Sequence, residues 1–112
     1  MFLYPNPHGL AMNKYEIYLP LKFNDGTPID REKIREIRVQ LMAVFGALTV
    51  SPLSAPFQGT WRYGGVEFVD EIIRIEILTK EEVEFFRNFK RRLKRKLRQF
   101  DILITLQHIY VI

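Results

Sequence analysis

The chain has 112 residues, enough for one domain with one modest core and too few for two. An apolar fraction of 47% and a charged fraction of 27% exclude a wholly disordered or fibrous polypeptide. There is no cysteine, which excludes disulfide scaffolding, cysteine-ligated zinc, iron–sulfur clusters and thiol nucleophiles. The formal charge is +4, and its distribution matters more than its size. Eight of the seventeen basic residues fall between Phe85 and Phe100 with no acid among them, and the remainder of the chain sums to −4. A mildly acidic body therefore carries one basic stripe.

Residues 1–13 hold Pro5, Asn6, Pro7 and Gly9 and read as a flexible N-terminal arm ahead of a single domain over 14–112, with Met12 as an alternative start. The opening apolar run is too short for a secretory signal, and no stretch approaches a membrane span, so a cytoplasmic protein without membrane insertion is expected.

From Tyr15 to Phe23, apolar residues alternate with Glu16, Tyr18, Pro20 and Lys22, the period of a half-buried strand. Asn24-Asp25-Gly26 predicts a turn, and Thr27-Pro28-Ile29-Asp30 a helix start with Thr27 as cap. Ile34, Ile37, Leu41, Val44, Phe45 and Leu48 follow at helical spacing, with Gly46 as a stop signal. Pro52 and Pro56 break the next segment into short strand pieces. Phe57–Tyr63 and a long strand from about Val66 to Leu78 flank the hairpin signal Gly64-Gly65. Thr79-Lys80-Glu81-Glu82 predicts a cap for a second helix closing at Gln99 or Phe100, and 101–112 reads as a final strand.

This order predicts an α+β, ferredoxin-like βαββαβ domain: a four-stranded antiparallel sheet with two helices on one face. The second helix puts Val83, Phe86, Phe89, Leu93, Leu97 and Phe100 on its apolar side. Arg87, Arg91, Lys94, Arg95 and Arg98 cluster opposite, the arrangement that meets a polyanion through counterion release. Nucleic acid is the first partner this predicts and an acidic protein the second; a helix face that is merely solvated is the alternative.

Catalytic motifs are missing. His8 and His108 are the only histidines and have no metal-ligand spacing, Ser51 and Ser54 sit in no nucleophile motif, and neither phosphate nor dinucleotide loops occur. No cofactor is called for, and the chain leans away from an enzyme. A polar pocket is expected, if anywhere, near Trp61 and Arg74, with Tyr18, Arg62 and Glu71 as further rim residues. A sheet covered on one side also predicts homo-oligomerisation, so a small-molecule site or cofactor-free enzyme formed by sheet-face dimerisation is the second reading, and a structural interaction subunit the third.

The runs Tyr15 to Phe23, Asn24 to Ile29, Phe57-Gln58-Gly59-Thr60-Trp61 and Arg98-Gln99-Phe100-Asp101-Ile102 resemble those of small uncharacterised bacterial single-domain proteins, a domain of unknown function. The resemblance spans about residues 14–112 and implies a ferredoxin-like domain, with no catalytic residue to carry over. The chain lacks the paired histidines of single-strand transposases, the phosphate loop of acylphosphatases and the aromatic motifs of RNA-recognition domains, although Tyr18 lies where such aromatics act.

Overall fold

Residues 9–112 are described by the structure, a computed structural model. Seven elements follow in order: β1 (Leu10–Pro20), α1 (Arg31–Phe45), β2 (Thr49–Val50), β3 (Phe57–Tyr63), β4 (Val66–Thr79), α2 (Val83–Lys96) and β5 (Ile104–Val111). They form an α+β fold of two helices on a five-stranded antiparallel sheet, not the expected four strands. The difference has a local cause. β2 and β3 both pair with β4, at Thr49↔Glu76 and Phe57↔Ile72, so one edge is built from two pieces separated by the Pro52–Pro56 loop. Proline supplies no ladder N–H, and a strand carrying two of them cannot stay continuous.

The sheet order is β2-β4-β1-β5, with β3 further along β4, which is compatible with a ferredoxin-like arrangement. β1 is central, as expected, and tolerates Pro20 because its nitrogen, like the Tyr18 N–H, turns toward the β5 side, beyond the end of β5, while the ladder to β4 continues through the Leu21 N–H to Glu71 O. The strand begins earlier than its alternation, so four residues assigned to the arm, Leu10 to Asn13, belong to the sheet and Met12 pairs with Ile109. Residues 1–8 of that arm, His8 included, lie outside the described residues.

α1 starts later than expected. Pro28 bridges to Lys22, and the Ile29 N–H bonds the Leu21 carbonyl at 2.9 Å, an extended geometry that buries Ile29 in the core. Asp30 is the cap instead of Thr27: its Oδ1 accepts the Glu32 N–H at 2.9 Å. Gly46 closes the helix at φ +76°, its N–H returning to Met42 O, a left-handed position that glycine occupies without a Cβ penalty. Gly64 and Gly65 both have positive φ, as the tight hairpin turn between β3 and β4 requires.

α2 ends at Lys96, short of the expected Gln99. The Gln99 N–H bonds Lys94 O and the Arg98 N–H bonds Arg95 O, which is a Schellman closure with Arg98 (φ +48°) where glycine is usual. The core lies between helices and sheet: Tyr15, Ile17 and Leu19 from β1, Ile73, Ile75 and Ile77 from β4, Ile34, Ile37 and Leu41 from α1, and Phe86, Phe89 and Leu93 from α2. Phe100 leaves the predicted apolar stripe and stacks on Tyr63, 4.8 Å between ring centres. Among the described residues, no helix is long and apolar enough to cross a membrane.

Candidate anion-binding interface

The packing of α2 fixes where its charges point. With Phe86, Phe89 and Leu93 buried, residues on the opposite arc must face solvent. Internal ion pairs then divide the basic stripe. Lys96 Nζ reaches Glu36 Oε2 on α1 at 2.8 Å, and Lys90 Nζ reaches Asp101 Oδ1 at 3.1 Å. Arg87 and Arg91 share Glu84, at 3.8 and 3.9 Å. Arg92 lies over the Phe89 ring and Arg98 over the Phe23 ring. Lys94 and Arg95 have no ion pair among the described residues, and with Asn88, Arg91 and Arg92 they line a shallow concavity of about 480 Å³.

Of the five sequence-predicted cations, Arg87, Arg91, Arg95 and Arg98 are exposed and Lys94 is half-buried; Arg87 turns toward β5, Arg98 lies past the helix end, and among the described residues only Lys94 and Arg95 are free of ion pairs and ring contacts. The chain's acidic counterweights were not recognisable from the basic run alone. Glu84 lies one residue before the acid-free window and one turn before Arg87, a spacing that pairs charges on a helix. Asp101 lies one residue after it. Burial pushes the Asp101 carboxyl up, but the Lys90 hydrogen bond, the Ile102 N–H and the charges of Lys90 and Lys94 outweigh this and hold it below its ordinary value.

The predicted pocket residues fall into two groups. On the sheet face away from the helices, Arg74 Nε reaches Glu16 Oε2 at 3.3 Å, and the Tyr18 hydroxyl donates to the same oxygen at 3.2 Å. Arg74 also lies over the Phe57 ring, and Lys14 pairs with Glu76 beside them. Thr105 sits opposite Glu16 and Gln107 opposite Lys14, so both belong to this open face. The second group lies on the β3–β4 hairpin. Trp61 stacks on Phe68 and donates its indole N–H to Asp70 Oδ2. Arg62 and Glu71 are on the other side of that ribbon, Arg62 paired with Glu67. Trp61 therefore meets Asp70, and Arg74 meets Glu16. Asp70, nearly buried, was missed because only the hairpin register sets it diagonally across from Trp61 on the same side.

His108 Nδ1 contacts Asn13 Oδ1 at 2.7 Å across the β1–β5 ladder. Among the described residues, no three His, Asp or Glu side chains converge as a set that could hold a metal ion.

No family model and no curated protein matches the chain. Solved structures do match in fold. The divalent cation tolerance protein CutA1 from Thermus thermophilus shares 17% identity over 89% of this chain and 84% of that one, with a TM-score of 0.58. CutA1 from Oryza sativa shares 10% over 93% and 84%, with a TM-score of 0.61. A phage SAM lyase in complex with S-methyl-5′-thioadenosine shares 12% over 89% and 90%, with a TM-score of 0.58. At these identities the likeness is one of fold: the chain has the backbone arrangement common to these three structures.

Proposed function

We propose that this chain is an oligomeric ferredoxin-like binding module whose outer α2 face docks an anionic partner, with a nucleic-acid backbone the class it fits first. One observation carries the reading: after internal pairing, Lys94 and Arg95 stand in no ion pair among the described residues and line one open concavity together with Arg91 and Arg92. Arg98 adds support. It takes a left-handed position at which a non-glycine residue costs roughly 1 kcal/mol, and so keeps a cation where glycine would fit more easily. The concavity is open and is lined by Asn88, Arg91, Arg92, Lys94 and Arg95 with no aromatic among them, which favours backbone contact over base stacking.

Fluorescence anisotropy with a labelled single-stranded oligonucleotide of about 20 nucleotides, between about 50 and about 200 mM KCl, tests the reading. Four contacting cations give a slope of log K on log salt of about −3. Replacing Arg91, Lys94, Arg95 and Arg98 with Gln abolishes the slope. Absence of binding at low salt, or an unchanged slope in the variant, overturns the assignment.

Self-association is supported by a separate feature. The end of the open face formed by Leu10, Met12, Leu78, Ile109 and Val111 is apolar, with Leu10 57% exposed. Sedimentation of the parent and of Leu78→Lys decides this: a parent that stays monomeric at high concentration rules out that surface. A small-molecule site is the second reading. It is favoured by the half-buried Tyr18–Glu16–Arg74 group, and the thioadenosine named in the phage lyase complex makes nucleosides the first ligands to screen.

A further inference from the structure

Among the described residues, β5 is the outer strand of the sheet, opposite the broken β2–β3 edge, and no other strand pairs with its outer side. The Tyr18 N–H donates to Leu103 O, which sets the phase of the β1–β5 ladder. Bonded residues alternate in an antiparallel pair, so Ile104, Leu106 and His108 turn their amides and carbonyls outward, away from β1. Exposed edges are ordinarily blunted with lysine, proline or an inward charge. This one is not: from Ile104 to Val111 there is no Lys, Arg, Asp, Glu or Pro. Beside it, between the edge and α2, lies a cleft of about 220 Å³. Its floor is the Tyr15–Phe86 stack, 3.6 Å between ring centres, extended by Val83, Ile104 and Leu106. Its upper wall carries Arg87 and Lys90. The Arg87–Glu84 pair is two-thirds exposed at 3.8 Å, the kind of contact that contributes little and exchanges readily; Lys90 is held more closely by Asp101.

We infer that this edge and cleft bind an extended peptide segment by strand addition, with an apolar side chain of the segment over the Tyr15–Phe86 floor and an acidic one against Arg87. Three features select that partner. Outward backbone groups hydrogen-bond another strand irrespective of its sequence, the apolar floor takes a side chain of the alternate set pointing toward α2, and the wall above is cationic. A bare polyanion fits poorly, because it would satisfy the cations and leave the apolar floor and the strand edge unused. The inference is independent of the outer-face reading, since Lys94 and Arg95 take no part in it.

The probe is an end-blocked peptide Ser-Leu-Thr-Glu-Thr-Leu-Ser, whose Leu-Glu-Leu set shares one face of a strand, compared with its Glu-to-Lys counterpart. Titration into isotopically labelled protein, followed by amide NMR, should shift Ile104, Leu106 and His108 and bring protection from exchange. The lysine peptide should bind about tenfold more weakly, the size of one charge-assisted hydrogen bond. Arg87→Glu should reverse the preference between the two peptides, a result that misfolding cannot produce. Leu106→Lys, at a 41% exposed position, should abolish binding while retaining the parent melting temperature.

No shift at about 1 mM peptide, weaker than any useful affinity, overturns the inference. So does equal binding of the two peptides. If Leu106→Lys instead dissociates an oligomer that the peptide does not disturb, the edge belongs to a second copy and the inference fails. Displacement of the peptide by an oligonucleotide that protects the same edge amides assigns the cleft to nucleic acid and also overturns it.

Discussion

Trp61 and Asp70 offer the sharpest test of how the β3–β4 hairpin is held. Asp70 is 8% exposed, and the indole N–H is the only hydrogen-bonding partner of its side chain among the described residues. Trp61→Phe removes the donor and keeps most of the ring that stacks on Phe68, leaving a carboxylate largely out of water; hydrogen bonds to charged groups are worth about 1.5–3 kcal/mol. Asp70→Ala removes the acceptor and strands the indole N–H at a cost of about 1–3 kcal/mol. The double variant loses the bond once and strands neither group, so it should be more stable than the sum of the single losses predicts, by about 2 kcal/mol. Urea unfolding followed by far-UV circular dichroism measures all four proteins. Trp61 is the only tryptophan, so its emission also reports the hairpin directly in the parent and in Asp70→Ala. Additivity within about 0.5 kcal/mol would show that the contact carries no energy and refute the reasoning.

Two further outcomes follow from the caps and the charges. Gly46→Ala should destabilise the protein by roughly 1 kcal/mol, because Gly46 closes α1 at φ +76° with no neighbouring atom to constrain it; an unchanged urea midpoint would contradict that origin. The folded-state pKa of Asp101 is depressed, so its contribution is fully present above the unfolded value of about 4 and is lost as pH falls through the folded value. The stability difference between the parent and Asp101→Asn should therefore be largest at neutral pH and shrink below about pH 4, and a difference that stays constant in acid would contradict it.

Local periodicity carried most of the fold. The alternation over Tyr15–Leu19 and Ile73–Ile77, and the helical spacing of Ile34, Ile37 and Leu41 and of Phe86, Phe89 and Leu93, mark residues that are all buried. Boundaries shifted where tertiary contacts outweighed local signals. Ile29 is drawn into the core as extended chain, which displaces the start of α1 past Pro28. Leu10-Ala11-Met12 has no alternation and becomes strand through its pairing with β5. The basic arc was legible because eight cations lie close together in one segment. Their neutralisation depended on Glu36, which lies on the other helix, and on Asp101, just beyond the acid-free run. The β5–α2 cleft left no local trace at all, since Tyr15, Phe86 and Leu106 are brought together only by the fold.

β4 is longer than the sheet it serves. Its residues 72–79 pair with β1 and the Glu71 carbonyl still accepts the Leu21 N–H at 2.8 Å, whereas residues 66–70 ladder only with β3, so the hairpin continues past the central strand as a two-stranded ribbon. Unzipping that ribbon breaks no β1–β5 pairing and exposes none of the isoleucines at 73, 75 and 77. This geometry makes the ribbon a segment that can open locally while the rest of the sheet stays paired. Its tether is aromatic: Tyr63 and Phe68 both touch Phe100 in the segment after α2. Phe100 is thus the ring outside the ribbon that joins its far end to the rest of the domain, and a change there should alter the ribbon's exchange rate before it alters the stability of the whole.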